Sequence, residues 1–448
     1  MTVALTLAAY GAGIEQSPLP PDVVHHAKRA VVDWFAALIP GSVAAPARIL
    51  ECALSDDLGR GDAQLASGRH ATPRTAALIN ATAAHTVEVD DIYRHAIYHP
   101  GAPTIAAALA LGQAKNVSGL HFLKAVVAGY EISTRIGATL GRAHYEFWHN
   151  TGTVGTFGAA AAAATVLGLS AAPYAHALCT SATMAAGLQQ AFRMDSMSKP
   201  LHAGHAAEAG LLAALAAEAG FTGSLDVLDG DAGMGRAMSN GPDWGPAVSD
   251  LGHAFNITDM TFKNHACCGH TFAAIDGALA LKALHRFSVG EINRIRVSTY
   301  APALAVAGNP HPTTAAEARF SLPYVVASAL LYGSVRLAAF SDERLSDAAI
   351  RQLMTKIEVS VDEEIDAAFP GRRAARVQIW LNNGEAMAFF QPTRKGDPDA
   401  PLTDRDLDDK FLELAEPVLG DAAASRLLAR LWALESFDGL HGLTDGSQ

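Results

Sequence analysis

The stretch Met260-Thr261-Phe262-Lys263-Asn264-His265-Ala266-Cys267-Cys268-Gly269-His270 separates two kinds of sequence in this chain. Before it, apolar residues recur with a helical period, and small residues, alanine above all, dominate. After it, runs of alternating apolar and polar residues begin, and alternation is the pattern of a half-buried β-strand. The stretch therefore marks the border between a helical domain and a domain that contains a sheet.

The helical side is predicted from spacing. Within residues 23–38, the apolar residues Val24, Ala27, Val31 and Phe35 follow a period of about 3.6, as on one face of an α-helix. The same reasoning predicts helices over residues 75–87, 102–114, 120–141, 155–167, 172–184, 204–219 and 404–434. Their small residues allow neighbouring helix axes to approach closely, which suits a compact helical core.

The sheet side is predicted from alternation. Ile295 and Val297 alternate with Arg294 and Arg296, residues 357–361 form a second candidate strand, and Asn383-Gly384 is the turn signal of a hairpin. The hairpin strands are predicted over residues 377–381 and 386–390, with helices over 314–318, 325–329 and 347–356. The predicted fold is mainly α with an inserted α+β domain: a discontinuous all-helical domain (1–266 and 400–448) and a smaller α+β lid domain (267–399).

Composition limits the possible partners. Half of the 448 residues are apolar, and the formal net charge of −12 comes without a basic stripe, which argues against a nucleic-acid partner. Four cysteines are too few for a disulfide scaffold, the N-terminus lacks the basic segment of a signal peptide, and the apolar run at 155–169 is too short to span a bilayer. We expect a cytoplasmic protein without a membrane or nucleic-acid partner, and the small-residue helices favour a homodimer.

The border stretch itself is rich in reactive side chains. Cys267 and Cys268 are adjacent rather than in a CxxC pair, and His265 and His270 are five residues apart, so the spacing matches no standard zinc site. An adjacent cysteine pair is also typical of small apolar packing at the start of a helix. Lys263 differs, because partial burial would lower its pKa and make it a usable base. We therefore expect no metal here and a lysine with a chemical role.

Three further stretches concentrate ionisable residues among alanines: residues 88–101, 142–153 and 193–207. The first is either a solvated turn or a site in which Pro100 and Gly101 fix His99. The second is either an aromatic plug over the core or a place where Tyr145 transfers protons beside two histidines. The third puts Lys199 and His202 ahead of a helix start, where anions bind readily.

Taken together and in this order, these segments resemble the MmgE/PrpD family. The motifs that carry the resemblance are Glu88-Val89-Asp90-Asp91 with His99-Pro100-Gly101, Gly129-Tyr130-Glu131, residues 152–158, residues 199–204 and residues 263–270. The resemblance implies a helical domain with a smaller α+β lid, and chemistry on polycarboxylates without a metal or organic cofactor. The family includes 2-methylcitrate dehydratase, cis-aconitate decarboxylase and iminodisuccinate epimerase.

Within that family, Glu88, Ile92 and Tyr93 stand where dehydratase-like members have Asp, Thr and His, and residues 142–149 are most similar to iminodisuccinate epimerase. The leading hypothesis is thus a cofactor-independent epimerase that inverts a carboxylate-bearing carbon by two-base proton transfer, with Lys263 and Tyr145 as the pair. The expected substrate-binding residues are Glu88, Asp91, His95, His99, His144, His149, Lys199, His202 and His265. The alternatives are a 2-methylcitrate dehydratase-like or cis-aconitate decarboxylase-like enzyme acting on a tricarboxylate, and a binding protein without catalytic activity.

Overall fold

The structure is a computed structural model that describes residues 2–192 and 196–443. The chain divides into two compact units, residues 1–262 with 403–448 and residues 263–402. The sequence analysis drew these borders between residues 266 and 267 and between residues 399 and 400.

The first unit is mainly helical. Its helices of more than one or two turns are Val3–Gly13, Pro21–Ser42, Ala45–Ala53, Pro73–Ala84, Gly101–Lys115, Gly119–Tyr145, Gly155–Val166, Ala171–Ala182, Ser198–Glu218, Asp404–Leu419 and Asp421–Trp432. Single turns of helix occur at Ser55–Asp57, Asn150–Thr153, Gln189–Phe192, Met234–Ala237, Gly245–Val248, Asn256–Asp259 and Leu434–Ser436. The periodicity in the sequence predicted most of the longer helices, with end points that differ by up to six residues, but not Val3–Gly13 or Ala45–Ala53.

Gly155–Val166 is the central helix of this unit, and every residue in it is buried. It packs against Gly101–Lys115, Gly119–Tyr145 and Ser198–Glu218. Close packing depends on glycine: a Cβ on Gly129 would lie 2.6 Å from the carbonyl oxygen of Gly158, and one on Gly210 would lie 2.5 Å from that of Thr156. The alanine-rich run is therefore the interior of a tightly packed bundle.

The expectation of an all-helical domain misses a small antiparallel sheet, in which Leu58–Gln64 pairs with His70–Ala71. The longer strand contains Gly59 and Gly61, with φ of 75° and 77°, and no β-branched residue. A strand of this composition has no alternating apolar signal, so the sequence pattern did not predict it.

The C-terminal segment forms two helices rather than the single one predicted, because Gly420, with φ of 79°, separates Asp404–Leu419 from Asp421–Trp432. Both helices pack on Pro21–Ser42. Lys410 is fully buried; its Nζ lies 2.5 Å from Oδ1 of Asp33 and 2.6 Å from the carbonyl oxygen of Val89. This buried ion pair fixes the loop that follows Pro73–Ala84.

The second unit contains a four-stranded sheet in the order Ile357–Val361, Ile292–Thr299, Ala375–Leu381, Ala386–Gln391. The first two strands are parallel, and the others pair antiparallel. The hairpin predicted at Asn383-Gly384 is confirmed, with Gly384 at φ of 88°. Helices of this unit are Phe272–Leu284, Ala301–Ala307, Ala315–Ala318, Leu322–Tyr332, Asp342–Leu345, Ala348–Met354 and Glu363–Ala367, with 3-10 turns at Val289–Glu291 and Leu337–Phe340.

Among the helices that the structure describes, none is by itself long and apolar enough to cross a membrane, and one bent pair, Pro21–Ser42 with Ala45–Ala53, meets the length and composition test together.

Candidate active site

The loop between Pro73–Ala84 and Gly101–Lys115 carries two buried carboxylates, Asp90 and Asp91, and two buried imidazoles, His85 and His99. His85 ends the first of these helices, and its backbone N–H donates to the carbonyl oxygen of Ala81. Glu88 has a φ of 62°, an uncommon value for a residue with a side chain, which turns the loop sharply. His99 lies two residues before the start of the second helix, and its backbone N–H donates to Oγ1 of Thr151 over 3.3 Å.

Two histidines of this loop share one carboxylate. Oδ2 of Asp90 lies 2.6 Å from Nδ1 of His85 and 3.3 Å from Nδ1 of His99. The side chains of His85 and Asp90 are 0% and 2% exposed, whereas that of His99 is 11% exposed. His99 is thus the least buried member of this group.

The charge on Asp90 decides the tautomer of His85. Burial alone would raise the pKa of Asp90, but the attraction of His99 and His85 and their hydrogen bonds hold it well below its usual range. An ionised carboxylate only accepts hydrogen bonds, so Nδ1 of His85 carries a proton and donates it. Nε2 of His85 is then left as a buried atom with no hydrogen-bond partner among the described residues.

His149 and His202 add a second pair of imidazoles to this group. The ring of His149 stacks on that of His85 at a centroid distance of 5.4 Å, and its Nδ1 lies 3.0 Å from Nδ1 of His202. Burial, followed by the positive potentials of His85, Lys199 and His99, holds the pKa of His149 well below its usual range, and burial lowers that of His202 to about 4. Both rings are neutral at physiological pH, so they act as hydrogen-bonding groups. We call His85, Asp90, His99, His149 and His202 the histidine cluster.

Lys199 adds a permanent positive charge beside the cluster. It lies in the first turn of Ser198–Glu218, forms an ion pair with Glu88, and its Nζ is 5.3 Å from the centre of the Phe192 ring. The helix begins at Ser198 rather than near residue 204 as predicted, so Lys199 and His202 both belong to its first two turns. The positive end of the helix dipole adds to the attraction for an anion.

His85, Asp90 and His99 also form a group that could hold a metal ion, because one donor atom from each lies within 4.8 Å of the others. Imidazole and carboxylate donors are a common ligand set for divalent transition metals. The short contact between His85 and Asp90 is, however, a hydrogen bond, and a cation bound there would have to displace that proton. As arranged, the residues therefore fit a hydrogen bond in which His85 donates its proton to Asp90. They would fit a metal ion only after His85 loses that proton.

Asp91, expected to contact substrate, has its carboxylate turned the other way. It accepts hydrogen bonds from the hydroxyl of Tyr130 over 2.7 Å and from the backbone N–H of Gly101 over 3.1 Å. Burial, with the nearby charge of Asp33, raises its pKa well above the usual value. The structure thus gives adjacent aspartates different surroundings: Asp90 faces the histidines, and Asp91 joins the loop to the helix that carries Tyr130.

The other residues predicted within the first unit lie outside the histidine cluster. Tyr145 lines a cavity of about 230 Å³ with His95, Arg94 and Arg142. The ring of His95 is more than half exposed and lies 3.1 Å from Asp259. Both ring nitrogens of the buried His144 are engaged, by the carbonyl oxygen of Met238 at 2.9 Å and by Oγ1 of Thr153 at 2.7 Å.

Lys263 and His265 belong to the second unit. Lys263 is partly buried, and its charge acts on the thiol of Cys268. His265 is buried, and its Nε2 lies 3.0 Å from Oδ1 of Asp276. Cys267 is buried and lies 3.2 Å from Oγ1 of Thr271, which agrees with packing at the start of Phe272–Leu284. The two-base pairing of Lys263 with Tyr145 stays a prediction. Residues 193–195, which begin the third polar stretch, lie outside the described residues.

His85 and Asp90 were not among the predicted site residues. His85 fell inside the helix predicted over residues 75–87, so it was counted as part of that element. The available signal was the short spacing of His85 and Asp90 at the end of an alanine-rich helix, since buried charged residues are rare unless they are paired.

Known proteins share this arrangement of domains. Residues 5–247 match the MmgE/PrpD N-terminal domain, and residues 265–434 match the MmgE/PrpD C-terminal domain. The cis-aconitate decarboxylase-like protein oryM of Aspergillus oryzae is 29% identical, covering 94% of this chain and 92% of the relative. Cis-aconitate decarboxylase of Homo sapiens is 27% identical, covering 96% and 92%, and that of Aspergillus terreus is 25% identical, covering 86% and 84%. With both domain models matched in order along the chain, this protein is a member of the MmgE/PrpD family.

Proposed function

We propose that this protein is a lyase that acts on a tricarboxylate, and that decarboxylation of cis-aconitate or a close analogue is its reaction. The observation that carries the proposal is the pair of Asp90 and His99 beside His149 and Lys199. The names of the relatives support it over the epimerase hypothesis, because those reported above are decarboxylases or decarboxylase-like.

Decarboxylation of such an acid makes two demands on a site. The bond between one carboxylate and its carbon breaks, carbon dioxide leaves, and the electron pair spreads through the neighbouring C=C bond. One proton must then be added to the far carbon of that allylic system, which gives itaconate from cis-aconitate. The site must hold the two remaining carboxylates and deliver one proton.

The first unit contains groups for both tasks. Lys199 keeps hydrogen-bond donors beyond its pair with Glu88, because an ammonium group has three. The neutral rings of His149 and His202 supply further hydrogen bonds to a carboxylate. His99 is the proton donor in this proposal, since its ring is less buried than that of His85 and is backed by Asp90.

The proposal is tested by incubating the purified protein with cis-aconitate, 2-methylcitrate and a single stereoisomer of iminodisuccinate, and following each by proton NMR. We expect carbon dioxide and itaconate, or the corresponding product of a close analogue. Dehydration of 2-methylcitrate without decarboxylation would place the protein with the hydro-lyases. Reaction of none of the tricarboxylates would overturn the proposal.

One observation keeps the epimerase as a second candidate. The Tyr145 hydroxyl shares its cavity with Arg94 and Arg142, and two guanidinium groups suit a dicarboxylate. This candidate requires exchange of the α-proton of iminodisuccinate with solvent deuterium, and that exchange should fall strongly in Tyr145→Phe and in Lys263→Ala. Near-normal exchange in both variants would remove the two-base mechanism.

A further inference from the structure

The second unit contains a partly buried arginine, Arg373, between Glu363–Ala367 and Ala375–Leu381. Its guanidinium makes neither a hydrogen bond nor an ion pair with any residue that the structure describes. Burial, with the repulsion of Arg394, lowers its pKa, which shows that its surroundings disfavour the charge. A partly buried charge in this position is stabilised when an anion binds it.

The neighbouring groups do not supply that anion. Asp397 acts on Arg373, but its carboxylate is already held by Arg394 in two hydrogen bonds, 2.8 Å to Nε and 2.7 Å to Nη2. Burial raises the pKa of the Cys268 thiol in spite of the nearby cations, so the thiol is neutral at physiological pH. Among the groups that act most strongly on Arg373, Asp397 is a carboxylate that Arg394 already holds with two hydrogen bonds, while three cations, Arg373, Lys263 and Arg394, act on Cys268. The region thus carries excess positive charge.

A donor pair, His270 and Tyr300, lies beside these arginines. Tyr300 packs in one buried cluster with Ala374, the residue after Arg373, and a Cβ on Gly269, the residue before His270, would lie 2.8 Å from Nη1 of Arg394. Nδ1 of His270 is 2.8 Å from the hydroxyl of Tyr300, and the Tyr300 ring stacks on Phe369 at a centroid distance of 4.6 Å. Burial, followed by Arg373 and Arg394, lowers the pKa of His270 to about 4, so its ring is neutral. If the hydroxyl donates to Nδ1, Nε2–H is left over; if Nδ1–H donates to the hydroxyl oxygen, the O–H is left over. Either arrangement leaves one further donor for a ligand.

We propose that Arg373, together with Arg394 and the His270–Tyr300 pair, binds a carboxylate group of a small organic acid. A guanidinium group matches a carboxylate with two parallel hydrogen bonds, and the extra donor serves a remaining lone pair. The choice of a carboxylate rests on the proposed function, in which the protein acts on a tricarboxylate. The excess positive charge does not depend on that function.

The test uses propane-1,2,3-tricarboxylate, which resembles the substrate but lacks the C=C bond, so that binding is measured without turnover. Arg373→Gln removes the cation and Arg373→Lys keeps the charge but not the two-point geometry. Arg372→Gln is the matched control, because it removes the same charge from an exposed side chain one residue away. Affinity and stoichiometry are measured by calorimetry on the full chain.

We expect affinity for this probe at the Arg373 site to fall at least tenfold in Arg373→Gln, to be partly restored in Arg373→Lys, and to change less than twofold in Arg372→Gln. If the bound carboxylate belongs to the substrate, KM for the reactive acid rises together with Kd in Arg373→Gln. If it belongs to a separate ligand, Kd for the probe rises in Arg373→Gln while KM is unchanged.

Thermal unfolding provides an independent check on folding. Arg373→Gln breaks no described hydrogen bond, so the Tm without the probe should not fall, while the rise in Tm on adding the probe should shrink. Equal affinity and stoichiometry in Arg373→Gln and Arg372→Gln would overturn the proposal, and so would a loss of Tm in the probe-free Arg373→Gln variant. These readouts do not require turnover, so they separate failure of this site from failure of the proposed lyase activity.

Discussion

Nδ1 of His85 donates a 2.6 Å hydrogen bond to Oδ2 of Asp90, and both side chains are almost fully buried. The same oxygen lies 3.3 Å from Nδ1 of His99, the more exposed of the two rings. One carboxylate thus orients two imidazoles, one fully buried and one slightly exposed. This relationship determines which aspartate of the loop matters for the proposed chemistry.

Asp90→Asn should reduce kcat by about 10²- to 10⁴-fold, the usual effect of disabling general acid–base catalysis. The amide carries no negative charge, so His99 loses its counter-charge and the hydrogen bonds that orient both rings are weakened. Asp91→Asn is the matched control, because Asp91 bonds Tyr130 and Gly101 instead. We expect Asp91→Asn to retain most of kcat. Equal losses of kcat in the two folded variants would contradict the assignment.

Lys199→Gln should raise KM for the tricarboxylate by about tenfold to a hundredfold, the range for losing a hydrogen bond to a charged group. The physical reason is the loss of a permanent positive charge beside His149 and in the first turn of the helix. Lys115→Gln, at an exposed position in the last turn of Gly101–Lys115, should leave KM unchanged. Steady-state kinetics on both variants measures the difference, and an unchanged KM in Lys199→Gln would count against carboxylate binding here.

Because the imidazoles of His149 and His202 are neutral in the folded protein, we expect its free energy of unfolding to decrease in acid. The pKa values of His149 and His202 are lowered in the folded protein, that of His202 to about 4, so the unfolded chain takes up more protons below its own pKa of about 6.5. Their contribution to the free energy of unfolding is therefore present above pH 6.5 and is lost as the pH falls toward 4. Urea unfolding at several pH values should show a shallower acid loss in the His149→Gln/His202→Gln double variant. His253→Gln, at an exposed position, should keep the full slope.

Glu131 should give the opposite pH dependence. Its contribution to the free energy of unfolding is lost as the pH rises rather than as it falls. Burial raises its pKa to about 7, against backbone N–H groups that favour the charged form. A carboxyl group whose pKa is raised on folding stabilises the protein at low pH and loses that contribution as the pH rises from about 4.3, its unfolded value, to about 7. The urea midpoint of Glu131→Gln, taken relative to that of the unaltered protein, should therefore be higher at pH 8 than at pH 5. No difference between the two pH values would show that Glu131 is ionised in the folded state at both.

The histidine cluster also makes a prediction about metals. If the His85–Asp90 contact is a hydrogen bond in the working enzyme, dialysis against a chelator should leave the activity unchanged, and added Zn²⁺ should inhibit by replacing the shared proton. Asp90→Ala should lose the capacity to bind Zn²⁺ at this position in a direct binding measurement. Activity that disappears on chelation and returns with a metal would instead make the cluster a metal site.

Much of the fold follows from local sequence, because periodicity directly reflects which side of an element is buried. The helix predicted over residues 23–38 and the hairpin at Asn383-Gly384 both have such local causes. The strand Leu58–Gln64 does not, because its glycines give no pattern. The different contacts of Asp90, which faces the histidines, and Asp91, which bonds Tyr130, could not be predicted either. Adjacent carboxylates look alike in the sequence, and their directions depend on the turn at Glu88 and on Tyr130 in a distant helix.

The central claim is that His99, backed by Asp90, delivers one proton during decarboxylation of a tricarboxylate. The most direct measurement is proton NMR of cis-aconitate turnover in deuterium oxide by the unaltered protein and by His99→Gln, with the exposed His95→Gln as control. The account predicts itaconate carrying a single deuteron on its methylene carbon next to the carboxylate, a rate about 10²- to 10⁴-fold lower in His99→Gln, and a nearly normal rate in His95→Gln. Full activity in a folded His99→Gln variant, or deuterium exchange into the substrate without loss of carbon dioxide, would contradict it.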